Sequence, residues 1–239
     1  MTPAQNVPRR KALRRVRPEE TNSCMTIKPG SISELQELLP QSQRVDEVSL
    51  EAVAELIEHV PEDMTATVQA GMSLSEFQSR LAKAGQWLPV DPPHPQTVTI
   101  GELLACNLNG PRRFGCGTIR DWVIGMAVVL PDGRLIRNGG KVVKNVTGYD
   151  LNKLYTGSLG TLGVIVEASF KLLPNNPNSG MLLASFPSLA ASISAGRKLL
   201  HSPAAPMGCH SVTSGISRRL QDSVQAASQD LGLGEEETA

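Results

Sequence analysis

The sequence predicts an α+β protein, on three observations. Thr65–Gln69 and residues 164–172 show the alternation and β-branching of strands. Leu74, Phe77, Leu81 and Ala84 recur at helical spacing behind the capping signal Ser73-Leu74-Ser75-Glu76. Between such elements the chain is punctuated by glycine in three places: T-V-T-I-G-E-L-L-A-C-N-L-N-G-P-R-R-F-G (residues 97–115), K-V-V-K-N-V-T-G-Y-D-L (141–151) and G-S-L-G-T-L-G-V-I (157–165). Glycine permits positive φ and close backbone approach, so these segments are where a ligand is expected.

Residues 1–30 carry no periodicity and read as a disordered or linker arm. A short helix fits 33–39, stopping before Pro40. Leu50, Val53, Ala54 and Ile57 place a second helix over 49–59. The strand at 65–69 ends at Ala70-Gly71, and the helix that starts after Ser73 is stopped by Gly85. Residues 126–130 form a buried strand, and Pro131-Asp132-Gly133 turns the chain into Leu135 and Ile136. Asp150 suits the N-cap of a short helix through Leu154. Val164, Val166, Ala168, Phe170 and Leu172 give a half-buried strand before Pro174. Residues 175–180 are rich in Asn, Pro and Gly and mark a domain boundary. Beyond it a strand fits 181–186, helices fit 188–201 and 216–231, and a polar tail follows. Three regions result: an arm over 1–30, an α+β domain over 31–174, and a partial α+β fragment over 181–239.

Composition narrows the classes. With 3% aromatic residues, the core has to be built from Leu, Val, Ile and Ala. Lys plus Arg and Asp plus Glu both total 23, so net charge selects no partner. Arg9, Arg10, Lys11, Arg14, Arg15 and Arg17 form a basic run without the interleaved aromatics of a base-stacking surface, so no nucleic acid is expected. Glu235, Glu236 and Glu237 make the tail acidic. No segment reads as a secretory leader or a transmembrane span, which makes the cytoplasm the expected compartment. Cys24, Cys106, Cys116 and Cys209 are scattered, with no C-x-x-C pair for zinc or an iron–sulfur cluster, and read as free thiols.

The segments with chemical potential begin at Asp91-Pro92-Pro93-His94-Pro95-Gln96-Thr97. Its prolines stiffen a loop that is equally readable as a surface turn before a helix cap. Thr97 and Thr99 carry small hydroxyl donors. Arg112 and Arg113 suit a phosphate or an acidic substrate, or form ordinary surface pairs. Gly160-Thr161-Leu162-Gly163-Val164-Ile165 is a tight turn entering a strand.

The order of these motifs over roughly residues 45–173 resembles the FAD-binding domain of the vanillyl-alcohol oxidase and p-cresol methylhydroxylase (PCMH-type) flavoproteins. Within them it is most similar to the E-type FAD-binding subunits of glycolate oxidases. The resemblance implies a PCMH-type α+β fold with an incomplete first subdomain and a truncated cap. It implies FAD as cofactor, contacted by Pro92, Pro93, His94, Thr97, Thr99, Gly101, Ala105, Asn107, Gly110, Gly160, Thr161, Gly163, Val164 and Ile165. Lys144 and Tyr149 approach the flavin or a partner surface in this reading, or are structural. The resemblance further implies oxidation of a 2-hydroxy acid such as glycolate, with electrons leaving to a second flavoprotein subunit and an iron–sulfur subunit. It assigns no catalytic residue, and a covalent flavin at Cys116 is not expected.

Two departures support a rival expectation, a non-catalytic scaffold that keeps the fold without stable FAD. Glu102 stands where the family has the second of two adjacent glycines, beside the pyrophosphate. Ile27-Lys28-Pro29-Gly30-Ser31, with a single glycine, is the only candidate for the family's glycine-rich pyrophosphate loop.

Overall fold

A computed structural model of the chain describes residues 25–42, 44–140, 150–175, 180–204, 206–213 and 215–216. The described elements run in the order β1 (Thr26–Ile27), α1 (Ile32–Gln41), β2 (Glu47–Val48), β3 (Leu56–Val60), β4 (Thr65–Gln69), α2 (Leu74–Ala82), β5 (Gln86–Trp87) and α3 (Ile100–Ala105). After them come α4 (Arg113–Cys116), α5 (Ile119–Trp122), β6 (Val123–Val129), β7 (Leu135–Gly139), α6 (Leu151–Tyr155), β8 (Val164–Lys171), β9 (Leu173–Pro174) and α7 (Leu189–Leu200). The fold is α+β, as the sequence predicts.

Its frame is a five-stranded antiparallel sheet in the order β3-β4-β8-β6-β7. On one face, Phe77 and Leu81 of α2 and Ile100, Leu103 and Leu104 of α3 bury against Val68, Val128 and Phe170. On the other, Leu35 of α1 and Ile27 of β1 meet Ala127, Val129 and Val166. Covered on both faces, the middle strand β8 is buried continuously from Ile165 to Ala168, not half-buried as its alternation suggests. Glu167 is tolerated inside it because Arg137 reaches across from β7 with both terminal guanidinium nitrogens.

Several elements follow their local signals. Ser73 Oγ accepts from the Glu76 amide, and Gly85 (φ +68°) lies just beyond the end of α2. Ser31 Oγ caps α1 through the Glu34 amide, while the Glu34 carboxylate takes the Gly30 amide (2.7 Å). α1 runs on through Pro40, which sits in its final turn. Asp150 precedes α6 but pairs with Lys153 (3.3 Å) instead of capping by its side chain. At Gly133 (φ +80°) the turn between β6 and β7 follows the Pro-Asp-Gly signal.

Three expectations change. The helix over 49–59 is absent: Leu50 and Val53 close a tight turn, and β3 pairs with β4 from Leu56 to Val60. A four-residue apolar spacing cannot distinguish a helix from a turn entering a strand, and cross-strand pairing with β4 decides. Thr26 and Ile27, expected within the arm, form β1 parallel to β2 because Ile27 is buried against Leu35's side of the sheet. Residues 181–186 form no strand; all are exposed and pair with no described strand. Residues 1–24, 141–149 and nearly all of the helix expected over 216–231 lie outside the described residues. None of the described helices is long and apolar enough to cross a membrane.

Candidate functional site

The loop of residues 91–99 is tied to the start of α2. The Leu74 amide donates to Val98 O and the Ser75 amide to Pro95 O, both at 2.9 Å. Pro92 is buried, whereas Pro93 and His94 are exposed. His94 adopts φ +54°, and its carbonyl accepts from the Thr97 amide and from Thr97 Oγ1. The Thr97 proton is therefore spent inside the loop. Thr99 Oγ1 caps α3 by accepting from the Glu102 amide (3.2 Å), which leaves its own proton available.

The start of α3 is closed. Its Ile100 and Gly101 amides donate to Met72 O and Ala70 O, and the Leu103 amide to Thr99 O. With the Glu102 amide on Thr99, its first four amides all have protein acceptors and none points at a pyrophosphate. Glu102 itself is exposed in the first helical turn, where a carboxylate favours the helix dipole. It does not crowd the backbone here.

Several of the glycines serve contacts within the protein. A Cβ on Gly101 would meet Ala70 at 3.2 Å, one on Gly110 would lie 1.8 Å from Asp91 O, and one on Gly163 would lie 2.8 Å from Val128. The expected close approach is real at these positions, but the neighbour is the fold itself. Gly157 (φ +87°) and Gly160 (φ +74°) differ. A Cβ on Gly160 meets nothing within 4 Å, and one on Gly157 meets only Asn107.

These two glycines flank a turn laid on the end of α3. The Gly157 amide donates to Leu104 O (2.9 Å) and the Leu159 amide to Ala105 O (2.8 Å). Asn107 (φ 49°) and Leu159 (φ 54°) are both left-handed, which is strained for non-glycine residues and is found disproportionately at binding sites. Leu159 is 70% exposed, and Leu154 and Leu162 are exposed nearby in the chain. Thr161 Oγ1 donates to Ser158 O (2.7 Å). Ser158 Oγ is buried without a partner among the described residues. Val164 and Ile165 pair with β6, but β4 stops at Gln69 opposite Glu167, so their other backbone edge has no strand partner among the described residues.

Asp91 and Asn109 are braces that sequence reasoning missed. Asp91 accepts from the Arg112 amide, and the Arg112 guanidinium lies 5.0 Å from the Trp87 ring. Arg112 is thus committed to the fold, while Arg113 is exposed and has no ion-pair partner among the described residues. Asn109 Oδ1 accepts from the Ile119 amide (3.0 Å). Neither contact has a local signal, since the partners lie 21 and 10 residues away. Cys116 sits against Met207 (Sγ–Sδ 3.9 Å), and burial pushes its thiol above the usual range. A separate concavity at α7, lined by Ala190, Ile193, Arg197, Lys198 and His201 among others, shares no residue with these loops.

Comparisons with known proteins bear on this geometry. The FAD binding domain family matches residues 32–139. Glycolate oxidase subunit GlcE of Escherichia coli (strain K12) is 42% identical over 120 residues, covering 50% of this chain and 34% of that protein. Subunit GlcD of Bacillus subtilis (strain 168) is 40% identical over 138 residues, covering 58% and 29%. The chain thus spans about a third of the length of these curated relatives. A solved alkyldihydroxyacetonephosphate synthase superposes with a TM-score of 0.61 at 21% identity, over 77% of this chain and 38% of that one, which shows the fold alone.

The fold and the matched segment define a flavoprotein domain. Residues 32–139 match the FAD binding domain family, and FAD is the cofactor of that domain. The described residues fit such an amphipathic cofactor on the side of the Gly157–Gly160 turn. There they offer exposed leucines, an unpaired strand edge and an unpartnered buried hydroxyl. They do not fit a pyrophosphate at the start of α3, where every amide is taken.

Proposed function

We propose that this chain is the FAD-binding part of an oxidoreductase acting on a 2-hydroxy acid such as glycolate. The observation that carries the reading is the 42% identity over 120 residues to a glycolate oxidase subunit. Oxidation of a 2-hydroxy acid to its 2-oxo acid removes two electrons and two protons, and bound FAD supplies the two-electron acceptor. The chain's own part is to bind, orient and desolvate. Arg113, exposed on α4 beside the 107–110 loop, is the cation proposed to meet a substrate carboxylate, and its exposure supports that role. Electrons then pass to a second flavoprotein subunit and an iron–sulfur subunit. The regions proposed are an arm over 1–30, the FAD-binding domain over 31–174 and a cap fragment over 181–239, working in the cytoplasm.

The site proposal keeps Thr99, Asn107, Gly160, Thr161 and the backbone of Val164 and Ile165 near the cofactor. Pro92, Gly101, Ala105, Gly110 and Gly163 shape the loops from behind. Pro93, His94 and Thr97 form the loop's exposed rim.

The test is the visible absorption spectrum of purified protein, before and after incubation with FAD and removal of the excess. A retained flavin band that bleaches anaerobically with glycolate or another 2-hydroxy acid supports the proposal. Protein that stays colourless sinks it for this chain. The closed start of α3 favours a second reading, a scaffold that keeps the fold without stable FAD. That reading predicts the colourless outcome.

A further inference from the structure

Ser158 Oγ is the one buried side-chain nitrogen or oxygen among the described residues that lacks a hydrogen-bond partner. Its neighbours show how unusual that is. Thr156 Oγ1 donates to Asn152 O and Thr161 Oγ1 to Ser158 O, both at 2.7 Å, so the hydroxyls on either side are each spent on a backbone carbonyl. Ser158's own backbone is occupied too: its amide donates to Tyr155 O, and its carbonyl accepts from Thr161. Only the hydroxyl is left over. A buried polar group without a partner costs the fold its full desolvation penalty, so an explanation is required.

The surroundings point to a ligand. Ser158 lies between Gly157 (φ +87°) and Leu159 (φ 54°), and Gly160 (φ +74°) follows. Three left-handed residues around one serine hold the turn in a shape that its hydrogen bonds to Leu104 and Ala105 fix on the end of α3. Space beside Gly160 is open, and the Gly160 amide has no acceptor among the described residues. A hydroxyl and a free amide two residues apart form a donor pair suited to a phosphate oxygen. The start of α3 offers no such donors.

We infer that Ser158 is a cofactor-positioning residue whose hydroxyl donates to a phosphate oxygen of FAD. This rests on the FAD reading above. Without the ligand, the hydroxyl weakens the fold slightly; with it, the same hydroxyl strengthens binding. One substitution therefore moves two readouts in opposite directions.

The experiment measures FAD dissociation constants by flavin fluorescence, and apoprotein melting temperatures, for the wild type, Ser158→Ala and Ser158→Cys. Cysteine keeps the size and weakens the donor. The expected result is FAD affinity lowered about 10-fold or more in both variants, with Ser158→Ala apoprotein melting no lower than wild type. Unchanged FAD affinity with a lowered apoprotein melting temperature would overturn the inference and make the hydroxyl structural. Wild-type protein that binds no FAD would instead sink the FAD reading itself. The two failures are thereby distinguishable.

Discussion

Gly110 passes so close to Asp91 that a Cβ at Gly110 would lie 1.8 Å from the Asp91 carbonyl oxygen and 2.3 Å from its carboxylate. The Asp91 carboxylate also accepts from the Arg112 amide, so one aspartate holds both sides of the loop that turns from α3 into α4. Because the clash is with backbone, no side-chain rotation relieves it. Gly110→Ala is expected to lower stability by about 1–3 kcal/mol and to reduce FAD uptake by displacing the loop. Gly140→Ala is the control, since its methyl meets nothing within 4 Å. Melting temperatures of the two variants check this, and equal values would remove the packing role of Gly110.

A second pair crosses the sheet. Arg137 of β7 and Glu167 of β8 lie on either side of β6, in one row with Ala127 between them. The small Ala127 side chain leaves room for the guanidinium to pass over it and grip both carboxylate oxygens. The glutamate is nearly buried while the arginine is largely exposed, so water screens the pair from one side. Arg137→Ala strands the carboxylate and is expected to cost about 1–2 kcal/mol. Glu167→Gln, which keeps a neutral acceptor, should cost less. Urea midpoints decide it, and a larger loss for Glu167→Gln would count against the pair.

Much of this frame was readable from residue order: α2 carries a period, a cap and a breaker, β4 alternates with β-branched residues, and β6 runs into a Pro-Asp-Gly turn. What failed depended on partners distant in sequence. Leu50 and Val53 have helical spacing, but strand pairing between Leu56 and Val68 settles their fate. Residues 181–186 have strand-like composition yet no described edge to join. The candidate site divides the same way. The glycine motifs were visible, but a glycine that approaches Asp91 reads identically to one that approaches a cofactor. Ser158 carried no signal at all, since a missing hydrogen bond is a property of the folded neighbourhood.

Acid should act through Asp121. Its carboxylate accepts from the Thr118 amide and from Thr118 Oγ1, both at 2.8 Å, in a capping box at the start of α5. These bonds, the backbone one first, hold its pKa below the ordinary carboxylate value. A carboxyl whose folded pKa is lowered stabilises the fold fully above its unfolded pKa of about 3.9, and that contribution fades as pH falls through the folded value. Wild type should therefore exceed Asp121→Asn in stability by a constant margin near neutrality, and the margin should shrink below about pH 4. Urea titrations at neutral and acid pH measure it. A margin that persists to the lowest pH would show that the carboxylate charge plays no part.

The identity of residue 102 offers the sharpest separation between a working cofactor site and a degenerate one. Were Glu102 an obstruction, Glu102→Gly would restore flavin uptake. Its side chain is exposed, its amide is on Thr99, and the amide of the preceding Gly101 is already on Ala70 O. Removing the carboxylate therefore frees no donor for a phosphate. It also removes a favourable charge from the first turn of α3 and adds glycine's helix penalty, together about 1 kcal/mol. The expected outcome is a slightly lower melting temperature with unchanged flavin content after incubation with FAD. Flavin content that rises in Glu102→Gly would show instead that this carboxylate stands in the cofactor's way, and that the start of α3 opens on binding.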